Sequence, residues 1–196
     1  MARMCEPATI PRRWPRTILA ALAVVAAGAL VLHLMGRVPI CRCGYVKLWQ
    51  GEVFSSENSQ HIADWYSLSH VVHGLLFYLA LRLGLPRLDL RDRFLLATVV
   101  ETAWEVIENT DFVIQRYREA TIALDYYGDS ILNSVSDIGF MMLGFAFAAR
   151  FPPWASLVLG LALELVAAFA IRDNLTLNVI MLLYPHPAIR AWQMGG

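Results

Sequence analysis

The chain has 196 residues, of which 58% are hydrophobic and only 16% charged, and its formal net charge is zero. Soluble domains carry about a quarter charged residues, so this balance, with a mean hydropathy of +0.51, points to a membrane environment. Zero net charge gives no case for a nucleic-acid partner, and three cysteines do not make a disulfide framework. The length predicts a single domain over residues 1–196.

Arg3, Arg12, Arg13 and Arg16 precede an uncharged run from Ile18 to Leu34. A basic flank before an apolar run also describes a signal peptide. This run is long for a signal core, and no small-x-small cleavage site follows before Arg37-Val38-Pro39. The expectation is an uncleaved first span, about 18–35, with a cytoplasmic N-terminus. The polar stretch Gly36 to Ala63 is then extracytoplasmic. Cys41 and Cys43 fall there, in a disulfide-permissive compartment. A plain bridge, two free thiols, and a redox or metal role all stay open. Cys5 is expected to be cytoplasmic and reduced.

The second span is expected at 65–83, with Ser69, His70 and His73 inside it. The two histidines, three apart, share a helix face. Arg87, Arg91 and Arg93 mark Gly84 to Arg93 as a cytoplasmic loop. The third span is 94–109. Residues 110–129 are too polar to cross. Phe112, Val113, Ile114, Tyr117, Ile122 and Leu124 alternate there with Arg116, Arg118 and Glu119, which suits a short helix on the outer surface or an ordinary capped loop. The fourth span, 130–151, holds Asn133, Ser136 and Asp137. Arg150 and Pro152-Pro153 make a turn into the fifth, 154–171, where Glu164 has no evident partner at its level. In the tail, 172–196, Leu175 to Tyr184 is too short to span and reads as an interfacial or re-entrant piece ended by Pro185-His186-Pro187. The expected fold is an all-α polytopic bundle of about five membrane spans.

The chemistry concentrates in three of these spans. Glu101, Glu105 and Glu108 recur at i, i+4 and i+7, so they form one stripe of a helix. A carboxylate in hydrocarbon is costly and is by default a functional hypothesis facing protein or water. At 1.5 Å rise per residue, His73, Glu101 and Asp137 lie roughly 13, 12 and 12 Å below the outer ends of their spans. His70, Glu105 and Asn133 lie one layer higher, at roughly 9, 6 and 6 Å. Asp64, Glu108 and Asp129 are at the rim. The agreement predicts one outward-opening cavity between spans two, three and four.

Duller roles stand beside these. Asp64 and Asp129 both precede helices and suit N-caps. Glu108, at a helix C-terminal end, suits solvation. Trp104 and Tyr78 suit packing. As a site, His70, His73, Glu101 and Asp137 are expected as metal ligands, for Zn or Mn by donor type. Glu101, Glu105 and Asp137 are the catalytic candidates, and Asn133, Glu108 and Asp129 the substrate-binding ones. The expected partners are the bilayer and a lipid or lipid-linked envelope substrate. The alternatives are a non-enzymatic headgroup-binding or assembly factor and, ranked below it, a proton- or ion-coupled transporter. No phosphate-binding glycine loop or G-x-S-x-G motif is present.

Several stretches carry a resemblance. They are Glu57-Asn58-Ser59-Gln60-His61-Ile62-Ala63-Asp64-Trp65-Tyr66, Ser69-His70-Val71-Val72-His73-Gly74, Glu101-x-x-Trp104-Glu105-x-x-Glu108-Asn109, and Asp125-Tyr126-Tyr127-Gly128-Asp129-Ser130-x-x-Asn133-Ser134-x-Ser136-Asp137. Together they resemble an uncharacterised family of multi-pass bacterial membrane proteins of alphaproteobacterial type. The resemblance covers about residues 40–190 and implies a cell-membrane location. A weaker similarity, through Asp129-x-x-x-Asn133 with Gly139 and Gly144, is to VanZ-like membrane proteins, some of which are tied to glycopeptide-antibiotic tolerance. The extra His and Glu residues and the Cys-x-Cys loop depart from that group, so its role is not carried over.

Overall fold

The computed structural model describes residues 14–121 and 125–195. The expectations for Arg3, Arg12, Arg13, Cys5, Ile122 and Leu124 lie outside the described residues. Eight helices follow in order: α1 (Trp14–Leu34), α2 (Ser67–Gly84), α3 (Leu90–Glu108), α4 (Asp111–Ala120), α5 (Ile131–Arg150), α6 (Pro153–Ile171), α7 (Leu175–Leu183) and α8 (Pro187–Gln193). The fold is all-α, and the only β pairing among the described residues is an isolated bridge between Gln50 and Asp64.

The long helices α1, α2, α3, α5 and α6 coincide with the five expected spans to within a few residues. By length and composition, α1, α5 and α6 are apolar enough to cross a membrane; α2 and α3 are comparably long but carry the polar residues. α1 and α3 each start four residues early, at Trp14 and Leu90, the latter because Asp89 accepts the amides of Arg91 and Asp92 as N-cap. Hydropathy locates where a helix becomes apolar, whereas a cap locates where it begins. Thr110, Ser130 and Asn174 open α4, α5 and α7 in the same way.

The backbones of α2 and α5 nearly touch. A Cβ on Gly74 would strike the Met141 carbonyl and the Phe145 amide, and one on Gly144 would strike the Val71 carbonyl. Small residues at such a crossing let helices approach closely. This approach lets Ser67, at the start of α2, donate to Asp137 on α5 at 2.8 Å. Further along these helices, Ala97, Ile138, Met141 and Phe145 form an apolar core. Tyr78 and Phe94 meet the Phe145 ring edge-on at 5.3 and 5.6 Å.

The segment 35–66 folds over the start of α5. Ser130, Ile131 and Leu132 donate their backbone amides to the carbonyls of Ser59, Val38 and Pro39. Cys41 and Cys43 are joined as a disulfide, which sets aside two free thiols among the alternatives left open for them. Glu57 is held at a pKa of about 2 by hydrogen bonds from Lys47, Tyr45 and His61.

The end of the chain corrects one expectation. Glu164 has partners: it accepts from the Leu175 and Thr176 amides and the Thr176 hydroxyl, at 3.0, 3.0 and 2.6 Å, and so caps α7. Arg172 takes a left-handed conformation, φ 55°, and turns the chain so that the start of α7 meets Glu164 of α6, while α7 itself packs on α4. The expected short piece at 175–184 is therefore a helix that folds back.

Polarity is inverted relative to a water-soluble core. Gln60, His61, Glu101, Asn109 and Ser130 are fully buried, while Leu34, Leu83 and Phe169 are exposed, Phe169 at 85%. An exposed apolar surface on this scale is of the kind that meets a membrane or a protein partner.

Candidate functional site

The α2 histidines and the α3 carboxylates meet because both sets recur at helical spacing on facing helices. His70 Nδ1 lies 2.6 Å from Glu101 Oε1, and His73 Nδ1 lies 3.0 and 3.2 Å from the two Glu101 oxygens. His70 Nδ1 is also 3.5 Å from Glu105 Oε1. On the far side of the same ring, His70 Nε2 is 3.8 Å from Asp137 Oδ2. Glu101 is fully buried and Glu105 is 1% exposed.

Two donor sets result, His70/His73/Glu101 and His70/Glu105/Glu108, each with its ligand atoms within 4.8 Å of one another. Adjacent donors about 2.1 Å from a divalent ion stand about 3.0–3.4 Å apart; the contacts around Glu101, 2.6–3.2 Å, are hydrogen bonds that would have to open slightly to admit one. Both carboxylate oxygens of Glu105 are buried without a hydrogen-bond partner. An ionised group in that state is costly, and a bound cation or a proton would relieve it. Asp137 belongs to neither set. Its Oδ2 stands 3.8 Å from the opposite ring nitrogen of His70, beyond hydrogen-bond reach, and its Oδ1 accepts from Ser67. A third set, Cys41/Cys43/His61, has its sulfurs tied up in the disulfide.

A cavity of about 350 Å³ adjoins this cluster. His70, His73, Asp137 and Glu108 line it, with Ser69, Tyr66 and Phe77 from the α2 region and Val100 and Trp104 from α3. Tyr117, Tyr126 and Asp129 close one wall, and Leu175, Asn178, Val179 and Leu182 of α7 form another. Val100 and Val179 are both more than 40% exposed, so the mouth of the cavity is apolar. Tyr117 donates to Glu108 at 2.7 Å and Tyr126 to Asp129 at 3.0 Å. Burial pushes Asp129 up to about 6 against the hydrogen bonds from Asn109 and Tyr126.

The remaining candidates divide. Asp129 lines the cavity but is not the cap of α5, since Ser130 accepts the Asn133 amide. Asn109 fixes Asp129 from both sides, donating to its carboxylate at 2.8 Å and accepting its amide at 2.7 Å. Asn133, expected to bind substrate, is outside the cavity lining, and its side chain donates to the His61 carbonyl at 2.9 Å. That amide ties α5 to the overlying segment. Asp64 caps the entry to α2, accepting the amides of Tyr66 and Ser67, while the Ser67 hydroxyl accepts the Asp64 amide.

Tyr66, Ser67, Asn109, Tyr117 and Tyr126 escaped the sequence reading. The Asp64-x-x-Ser67 capping pattern was the available signal for Ser67, whereas the tyrosines are brought in only by tertiary folding. Trp104, read as packing, lines the cavity.

The family profile described as "Protein of unknown function (DUF2585)" matches residues 32–195. The chain is 55% identical over 190 residues to a UPF0314 protein of Paracoccus denitrificans, covering 97% of this chain and 98% of that one. It is 54% identical over 189 residues to one of Rhizobium meliloti, with 94% and 93% covered. With one of Novosphingobium aromaticivorans the identity is 51% over 183 residues, with 91% and 92% covered. The second resemblance, to VanZ-like proteins, is not among what these matches show. No solved structure matches the chain.

Proposed function

The chain belongs to the DUF2585 family, and on that premise we propose that it is a multi-pass inner-membrane protein with a divalent-metal site that acts on the polar headgroup of a lipid or lipid-linked envelope substrate. The observation that carries this reading is Glu105: a carboxylate 1% exposed, with neither oxygen hydrogen-bonded, beside His70 and one turn from the doubly engaged Glu101. Imidazole with carboxylate suits Zn or Mn. His70, His73 and Glu101 would hold the ion, which when bound supplies a Lewis acid and lowers the pKa of a coordinated water. Glu105 is placed to accept a proton from such a water or to complete the ligand set. Asp137 faces the opposite edge of the His70 ring at 3.8 Å. Glu108 and Asp129 face the cavity where a headgroup would rest. The inverted surface and the apolar long helices support the membrane reading, and the basic loops on one side support a cytoplasmic N-terminus.

Metal analysis of the purified full-length protein tests it. The expected result is about one Zn or Mn per chain, lost in His73→Ala and in Glu101→Gln. Absence of stoichiometric metal after growth and purification with added Zn and Mn would rule the metal site out. A non-catalytic headgroup-binding protein is the second reading. It draws on Glu101, whose carboxylate is already satisfied by two imidazoles without any ion.

A further inference from the structure

The cavity wall away from the histidines has a chemistry of its own. Tyr66, Trp104, Tyr117 and Tyr126 contribute aromatic surface, and Glu108 and Asp129 contribute carboxylates. Among the described residues that line the cavity, none is Arg or Lys. An anionic headgroup such as a bare phosphate would find no fixed positive charge on that wall. A cation would find two carboxylates and four aromatic side chains, the residue types that recognise ammonium groups.

The wall is also held in place. Each phenol is tied to a carboxylate: Tyr66 donates to Asp173 at 3.2 Å, Tyr117 to Glu108 at 2.7 Å and Tyr126 to Asp129 at 3.0 Å. The rings of Tyr117 and Tyr126 pack edge to face with centroids 5.3 Å apart. Trp104 lines the same cavity as Glu108. Aromatic rings locked in this way cost little further ordering when a ligand enters. The apolar mouth between Val100 and Val179 suits a ligand whose charged group is attached to hydrocarbon.

From this cage we propose that the cavity selects an amine-bearing amphiphile, its ammonium or quaternary ammonium group seated between Trp104, Tyr117, Glu108 and Asp129. The proposal rests on the reading of this cavity as the substrate site, and it assigns the substrate class: a lipid with an ethanolamine- or choline-type headgroup. The ammonium seat shares Glu108 with the second donor set but uses neither histidine, so binding there does not need the ion.

The test uses the full chain in detergent, stripped of metal with chelator, and native mass spectrometry. The probes are short-chain phosphatidylethanolamine, phosphatidylcholine and phosphatidylglycerol, with tetramethylammonium and ethylamine alone. The expected result is that the two amine lipids bind at least about tenfold more tightly than phosphatidylglycerol. Trp104→Leu and Glu108→Gln should each weaken them by about tenfold, and Trp104→Phe by less, because indole is the stronger π partner. Gln at position 108 can still accept from Tyr117, so that variant keeps the wall assembled. Displacement of lipid by tetramethylammonium or ethylamine alone would assign the recognition to the free amine, and its failure would assign it to the whole amphiphile; either outcome supports the cation cage. Equal or tighter binding of phosphatidylglycerol, or no change in Glu108→Gln, would overturn it. Because ion-free protein is used, this result is independent of whether metal analysis succeeds.

Discussion

Helices α5 and α6 are adjacent, of similar length, and both apolar enough to cross a membrane, yet they serve different purposes. On α5, Asn133, Ser134, Asp137, Ile138, Met141, Gly144, Phe145 and Ala148 are buried, whereas on α6 only Ala167 is. The same apolar character is used on α5 to pack protein against protein and on α6 to face outward. Only the helices of the first kind can place polar groups beside one another. Accordingly the histidines and carboxylates lie on α2, α3 and α5. The one acid of α6, Glu164, is spent on capping α7.

The contrast breaks most sharply at the glycines of α5. Gly144 is pressed against the Val71 backbone, but Gly139 has nothing within 4 Å of where a Cβ would stand. Gly144→Val should destabilise the protein by roughly 3 kcal/mol or more, since backbone atoms cannot move aside as a side chain can. Gly139→Ala should be neutral or stabilise by about 0.5–1 kcal/mol through helix propensity. Thermal melting in detergent reads both. Equal effects would mean that α2 and α5 do not cross so closely.

A smaller effect, with a change of sign, is expected at Glu105. Its oxygens have no hydrogen-bond partner, so Glu105→Leu should stabilise metal-free protein by about 1–3 kcal/mol, the usual cost of a buried polar group left unsatisfied. With Zn or Mn added, the wild type should gain melting temperature and the variant should gain less. A variant less stable than wild type under both conditions would show that Glu105 has a structural partner.

Asp173 tests the lid-like helix α7. Burial pushes its carboxyl from 3.8 up to about 6, against hydrogen bonds from Asn174, Asn178 and Tyr66. The folded state therefore holds this proton more tightly than the unfolded chain does. The stability of the docked helix should fall as pH rises from about 4 through about 6 and then level off. Amide exchange of Leu177 to Met181, corrected for intrinsic rate, should be several-fold faster at pH 7 than at pH 5. The opposite trend would mean that the donated hydrogen bonds outweigh burial and favour the anion.

Legibility in the sequence follows the range of the interactions. The five long helices could be read because apolar runs and caps are local. His70, His73, Glu101 and Asp137 could be singled out because a polar residue within an apolar run is conspicuous, and the constant rise of a helix converts sequence position into depth. Asn133 shares those features, but its amide goes to the His61 carbonyl 72 residues away, and no local pattern announces such a contact. Glu164 found its partners only because Arg172 turns the chain back. The tyrosine wall was hidden for a related reason. Tyr66, Tyr117 and Tyr126 lie near helix ends, where amphipathic aromatic residues are ordinary in a membrane protein, and only folding gathers them around one cavity.

The outward-facing side of the comparison yields the smallest effect. Phe169 on α6 is 85% exposed, so in a lipid surround it trades hydrocarbon contact for hydrocarbon contact when shortened. Phe169→Ala should change stability in lipid nanodiscs by less than about 0.5 kcal/mol, within the usual range of surface substitutions. Phe145→Ala, in the core between α2, α3 and α5, should cost about 3–5 kcal/mol. The same pair of variants separates the two surfaces by solvent as well. If α6 faced water, Phe169→Ala would remove an exposed apolar patch and raise solubility without detergent. If it faces lipid, the wild type and the variant will need detergent equally.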